Sequence, residues 1–268
     1  MLSVVSAALR LVLFLLLTLA FLPVYGVALA RGRGYRKIGC LYWRLVGRWS
    51  LLARVVVRGD ISLDRPLVMV SNHASYLDIV FIGGQIPGVF VAKSEVRGWP
   101  GIGHLARLAG TVFVERTARA VSKHRDEIVG RLAHGEPLIL FPEGTTSDGN
   151  RVLPFKSALF NVAERSVEGQ PVRVQPFVVA YTRVGGLPMG YAQRPFYAWI
   201  GDEELAPHLW SVMCRGRFTV EITFLPAVTV ADFANRKTLA TYCEAEVRRG
   251  LAGLLTGRER ERTPIPAR

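Results

Sequence analysis

A histidine followed five residues later by an aspartate, His73 and Asp78 in NHASYLD, is the arrangement in this chain best suited to moving a proton. A neutral imidazole can take a proton from an alcohol near neutral pH. A carboxylate on its other ring nitrogen would fix tautomer and orientation, as in a catalytic triad without its serine. Asp78 reaches back to His73 only if the backbone turns into a helix there. Alone the pair is a weak signal, because 5 His and 21 acidic residues produce such a spacing by chance about 0.4 times in a chain of this length. Asn72 or Ser75 capping a helix start is the competing account of the same stretch.

Three other polar clusters follow apolar runs. FPEGTTSDG offers one carboxylate, Glu143, a glycine, Gly144, and hydroxyls that include Thr145, groups suited to a polyol or a phosphate; its end, Asp148-Gly149-Asn150, also reads as a solvated turn. In VFVER, Arg116 could hold a phosphate through two parallel bonds or make a surface ion pair. VQPF reads as packing around a pocket. The chain lacks G-x-S-x-G, H-E-x-x-H and G-x-x-x-x-G-K-[ST], which removes support for serine esterase, zinc peptidase and P-loop readings. GIGHLA fails as a dinucleotide loop, because Trp99-Pro100 stands where a strand is needed.

The elements that must position these residues alternate in type. Apolar runs predict strands near 66–70, 88–92, 111–115, 137–141 and 174–181, and helices are expected near 76–85, 101–109, 118–134 and 154–166. That order specifies an α/β fold, a mixed, mostly parallel sheet flanked by helices, with ligands at the carboxyl ends of the strands. PFYAWI at 195–200 and RFTVEITFL at 217–225 are expected to add sheet, the second as a half-exposed edge, and 231–255 reads as a closing helix.

Ahead of this domain, Leu11 to Ala30 carries no charge and as a helix would rise about 30 Å, the thickness of a bilayer core. Arg31, Arg33, Arg36 and Lys37 follow at once, so the expected topology is N-terminus outside and domain on the cytoplasmic side of the inner membrane. A cleaved signal peptide ending at Ala28-Leu29-Ala30 is the rival, and Pro23 with Gly26 also permits a re-entrant hairpin. Residues 38–58 mix Trp43 and Trp49 with arginines, as in a helix lying among lipid headgroups or an ordinary amphipathic core helix. The expected division is an N-terminal membrane-anchoring helical segment over 1–58, an α/β domain over 59–256 and a disordered basic tail over 257–268. Lys and Arg outnumber Asp and Glu by 34 to 21, which suits polyanionic partners. The three cysteines form no C-x-x-C pair, so a reduced, cytosol-facing domain is expected.

In this order, NHASYLD, TVFVER, FPEGTTSDG and VQPFVVAY resemble the four blocks of the glycerolipid acyltransferase family, which contains the 1-acylglycerol-3-phosphate acyltransferases, over roughly residues 60–185. The resemblance implies His73 as general base with Asp78 as its partner, Glu143, Gly144 and Thr145 as the acceptor-binding block, and Arg116 on the acceptor's anion. It also implies direct attack of a lysolipid hydroxyl on acyl-CoA or an acyl-carrier-protein thioester, with no acyl-enzyme, metal or other cofactor. One departure stands out: many lysophosphatidate acyltransferases carry Arg after Glu-Gly-Thr, and here that residue is Thr146. A lost guanidinium contact to phosphate is worth about 1.5–3 kcal/mol, so the acceptor is differently charged, or Lys93, Arg151 or Lys156 compensates. VAKSEVRGWPGIGHLARLAGTVFVER and the stretch FPEGTTSDGNRVLPFKSALF are similar to bacterial members that acylate lyso-ornithine lipid. Nucleic acid is not an expected partner, since no recognised motif accompanies the arginines. The competing class is a basic membrane-surface binding protein without activity.

Overall fold

A computed structural model of the chain describes residues 4–98, 103, 106–107, 109–114, 118–201 and 203–258. The expected helix over 101–109 lies largely outside these residues. Helix α1 (Val4–Ala30) and helix α2 (Tyr35–Leu45), extended by a π-helical turn at Val46–Ser50, lead into β1 (Ala53–Arg58). Then come β2 (Leu67–Ser71), α3 (Leu77–Gly83), β3 (Val89–Lys93), β4 (Val112–Val114), α4 (Ala118–Ala133) and β5 (Leu138–Leu140). A short hairpin, β6 (Ser166–Val167) with β7 (Gln170–Pro171), precedes the long β8 (Arg173–Val184) and β9 (Leu187–Pro188). The remainder is α5 (Leu205–Cys214), β10 (Phe218–Phe224), β11 (Val228–Thr229) and α6 (Arg236–Thr256).

The main sheet runs β1-β10-β8-β2-β5-β3-β4. Strands β8, β2, β5, β3 and β4 are mutually parallel, while β10 is antiparallel to β8 and takes β1 along with it. The central strand LVMVS is buried at every position, as a parallel strand covered on both faces must be. On one face Met69, Phe177, Val179 and Ile222 pack beneath α3 and the N-terminal helices; on the other Val68, Val70, Val178 and Ala180 pack beneath α6.

Four local expectations change. Residues 53–58, ARVVVR, are strand where a helix was expected: their alternation places Ala53 and Val55 on the core and Arg54 and Arg58 outside. β10 is interior, since β1 pairs with its far side. Residues 195–200 form no strand: Pro195 lacks a donor, and the amides of Tyr197 and Ala198 both return to the Arg194 carbonyl. Ser157–Glu164 is a 3₁₀ helix that starts late, because the amides of Phe155 and Lys156 are bonded to Glu244 and to the Pro142 carbonyl.

Helix α1 lies along the domain. Ala7, Arg10 and Ala28 are buried, with Leu11, Phe14, Leu17 and Phe21 packed on the core between them, a stripe at helical spacing. Val5, Leu9, Val12, Leu16 and Leu19 on the opposite side are exposed. Arg10 donates to the carbonyls of Ser50 and Met213, and the Thr18 hydroxyl meets Tyr42 Oη at 2.8 Å. Such an outward apolar face fits membrane association.

Candidate active site

Strands β2, β5 and β3 are parallel and end along one edge of the sheet, the place where open α/β sheets collect ligands. The chain leaves β2 at Ser71 and turns into α3 at Leu77, and this turn brings Asp78 back beneath His73. His73 Nδ1 lies 2.9 Å from Asp78 Oδ2, which also accepts the main-chain N–H groups of Ala74 at 2.8 Å and Ser75 at 3.0 Å. An oxygen already committed as acceptor to two amides is an acceptor toward the imidazole too, so Nδ1 carries the proton and Nε2 keeps its lone pair. Asp78 is 1% exposed and the His73 side chain 17%. The Phe141 ring stacks on His73 at a centroid distance of 3.9 Å and sets the plane of the imidazole.

Asn72 is no helix cap. Its amide accepts from Val179 N at 3.0 Å and donates to Val179 O at 2.8 Å, so the side chain extends the pairing of β2 with β8 one step beyond the last strand residue. Ser75 Oγ accepts the Leu77 amide at 3.3 Å. Gln175 likewise ties Ser62, Asp60 and Leu225 together across the start of β8.

Glu143, on the loop after β5, accepts the His73 amide through Oε1 at 3.0 Å, while the Ser147 amide donates to the His73 carbonyl at 2.8 Å. The histidine backbone is thus held from both sides by the second polar cluster. Glu143 is buried, and burial pushes its carboxyl up to about 8, with Asp78 and Glu244 adding to the effect and the amides of His73 and Leu153 opposing it. Its Oε2 has no partner among the described residues.

Gly144 has φ +67°, and a Cβ there would stand 2.6 Å from Lys156 Nζ, so the Lys156 ammonium lies directly over this glycine. Thr146 donates its hydroxyl to the Trp199 carbonyl, and the Trp199 amide donates to the Ala74 carbonyl at 2.8 Å. The segment after β9 therefore straps the two polar loops together. Tyr76, from the first loop, meets His208 Nδ1 at 3.0 Å and packs edge-on against Trp199.

The structure brings together His73, Asp78, Glu143 and Gly144, with Thr145 next in the chain and Lys156 above. Lys93 stands at the carboxyl end of β3, and Arg151 points to Asp148 at 3.8 Å with most of its side chain in solvent. Arg116 lies outside the described residues. A groove of about 710 Å³ at the far edge of the sheet, between Arg54 and Arg217, contains none of these residues. The hydroxyl of Tyr181, absent from the sequence reading, donates to Asp78 Oδ1 at 2.7 Å. The available signal was a lone phenol on an apolar strand face, which requires a partner once buried.

Residues 54–180 match the Acyltransferase family. Over 274 residues the chain is 40% identical to a lyso-ornithine lipid O-acyltransferase of Rhizobium meliloti (strain 1021), covering 100% of this chain and 94% of the relative. It is 43% identical over 249 residues to a protein of the same name from Brucella abortus (strain 2308), covering 91% and 92%. A 1-acyl-sn-glycerol-3-phosphate acyltransferase of Neisseria gonorrhoeae is 30% identical over 183 residues, 68% of each chain. The crystal structure of the 1-acyl-sn-glycerophosphate (LPA) acyltransferase from Thermotoga maritima superposes with a TM-score of 0.61 at 28% identity, covering 94% of this chain and 100% of that one. With the His73–Asp78 pair, the Glu-Gly-Thr loop with its buried Glu143 and near full-length similarity in hand, this chain belongs to the Acyltransferase family and is itself an acyltransferase.

Proposed function

We propose that the chain moves a fatty acyl group from an acyl thioester to the free hydroxyl of a lysolipid, with lyso-ornithine lipid as its main acceptor and 1-acyl-sn-glycerol-3-phosphate as a second. The observation that carries the mechanism is the 2.9 Å bond between His73 Nδ1 and Asp78 Oδ2, which leaves Nε2 free to accept a proton. As the acceptor oxygen adds to the thioester carbonyl carbon, its proton passes to Nε2. Collapse of the tetrahedral adduct breaks the C–S bond, and the imidazolium returns the proton to the departing thiolate, giving ester and free thiol without an acyl-enzyme. The donor is acyl-carrier protein or acyl-CoA.

The acceptor reading is supported by the two relatives named lyso-ornithine lipid O-acyltransferase, 40% and 43% identical to this chain; the site adds a second support. Thr146 stands where many lysophosphatidate acyltransferases carry Arg, and its hydroxyl is spent on Trp199. Lys156, over Gly144, is the cation placed to meet the acceptor's carboxylate or phosphate. As for the membrane, α1 packs on the core from Ala7 to Phe21, about 21 Å of helix, and Tyr25 beyond it meets Tyr35 of α2. A helix so docked crosses a bilayer only by dragging its flank of the domain with it. The α1–α2 hairpin instead sits in one leaflet of the inner membrane with the domain facing the cytoplasm, held by apolar side chains outward and arginines at the helix ends.

The test is an acceptor competition in mixed micelles, with labelled acyl-CoA or acyl-carrier protein as donor and the two lysolipids offered separately and then together. Labelled ornithine lipid exceeding labelled phosphatidate, with each acceptor inhibiting the other, is expected. Binding to anionic vesicles with no label in either product would replace this reading by an inactive membrane-surface protein.

A further inference from the structure

Strand β2 stops at Ser71, opposite Phe177, but β8 continues for seven more residues and carries Tyr181 up behind the NHASYLD turn. Phe177, Val179 and Tyr181 share one face of that strand, the face on which α3 packs. Tyr181 is 1% exposed, and its ring is fixed by Tyr197 at 5.9 Å, Phe218 at 6.2 Å and Phe81 at 6.2 Å. Its hydroxyl meets the one Asp78 oxygen that His73 does not use, at 2.7 Å.

We infer that Tyr181 is a positioning residue of the His73–Asp78 dyad: its O–H, held by a strand on the far side of Asp78, locks the carboxylate plane and so aims the imidazole. The inference rests on the dyad reading proposed above. Without this bond Asp78 retains the two amides and His73, all on Oδ2, and Oδ1 would be a buried carboxylate oxygen with no donor among those contacts. The carboxylate could then rotate about its Cβ–Cγ bond. Burial first, and Asp78 second, hold the Tyr181 phenol well above its ordinary range, so it remains a donor. The other titratable groups facing Asp78 are His73 from its own loop and Glu143 from the loop after β5, with Tyr76 beside Tyr181.

Tyr181→Phe keeps the ring and its packing and removes only the O–H. The expected result is kcat lowered about 10- to 100-fold, the scale of one charge-assisted hydrogen bond, with KM for both substrates within twofold. Loss of the donor makes Asp78 a stronger partner for an imidazolium, so the acid limb of the kcat/KM pH profile moves to higher pH. Site-specific 3-fluorotyrosine at position 181, a near-isosteric and stronger donor, should keep kcat near the parent value and move the limb the other way. A packing role alone would lower the unfolding temperature and leave the pH profile in place. Tyr181→Phe with parental kcat and an unmoved acid limb overturns the inference, as does 3-fluorotyrosine shifting the limb upward; if the phenylalanine variant fails to fold, the fluorotyrosine protein decides alone. His73→Ala, assayed in parallel, separates the two levels: transfer surviving that change would remove the dyad reading itself, whatever Tyr181 does.

Discussion

Replacing Glu143 by Gln should remove a large part of the protein's loss of stability with rising pH. Glu143 is 2% exposed, and burial raises its carboxyl from 4.5 to about 8. In the unfolded chain the group ionises near its ordinary value, whereas in the fold it holds its proton until about pH 8. Across that window the folded state binds more protons, so this group's contribution is full below pH 4.5 and declines as pH rises to 8. At about 1.4 kcal/mol per pH unit, the decline between pH 5 and pH 7 is on the order of 3 kcal/mol. Gln preserves the shape and the acceptor oxygen for the His73 amide but does not titrate. Guanidinium denaturation in detergent micelles at pH 5, 6, 7 and 8 should show the variant gaining on the parent by that amount, since every other group is common to both. Parallel curves for the two proteins would refute a neutral Glu143. The same neutrality gives Oε2 a proton to donate, and at pH 7 the variant should retain transfer within about tenfold, the scale of one neutral hydrogen bond.

Other consequences are open to direct measurement. Lys156→Ala should raise KM for either lysolipid by roughly 5- to 30-fold, the scale of one charged contact, with a smaller effect on kcat; an unchanged KM would place the anion contact elsewhere. Replacing Leu9, Leu16 and Leu19 by Gln on the outward stripe of α1 should move the protein from the membrane to the soluble fraction while its circular dichroism is unchanged, because none of the three faces the domain. Continued membrane binding would assign attachment to another surface.

Much of this architecture is legible in the chain because buried parallel strands read as short apolar runs: LVMVS, LIL and VQPFVVAY each announce a strand and end where polar residues begin. The dyad was legible as spacing, and the bonded geometry follows from the turn into α3. Other features depend on tertiary partners that no local pattern names. Asn72 looks like a cap and serves as a strand residue because β8 outruns β2 and leaves the Val179 main chain without a β2 partner. ARVVVR is rich in β-branched valine, but the arginines and tryptophans before it favoured an interfacial helix. PFYAWI has strand-forming residues, yet its amides are taken by Arg194 and Ala74, and that strap is how Thr146 is occupied. The Tyr181 hydroxyl reaches Asp78 across 103 residues of sequence, beyond any window in which spacing carries information.

The central claim is that His73 is the base that activates the lysolipid hydroxyl. The most direct measurement is label transfer from acyl-carrier protein or acyl-CoA to lyso-ornithine lipid by purified parent and His73→Ala proteins of matched folding and membrane binding. The account predicts a loss of at least about 1000-fold in kcat, within the range general-base catalysis supplies, with the acceptor still bound. Transfer by a well-folded His73→Ala protein at a rate near the parent's would contradict it.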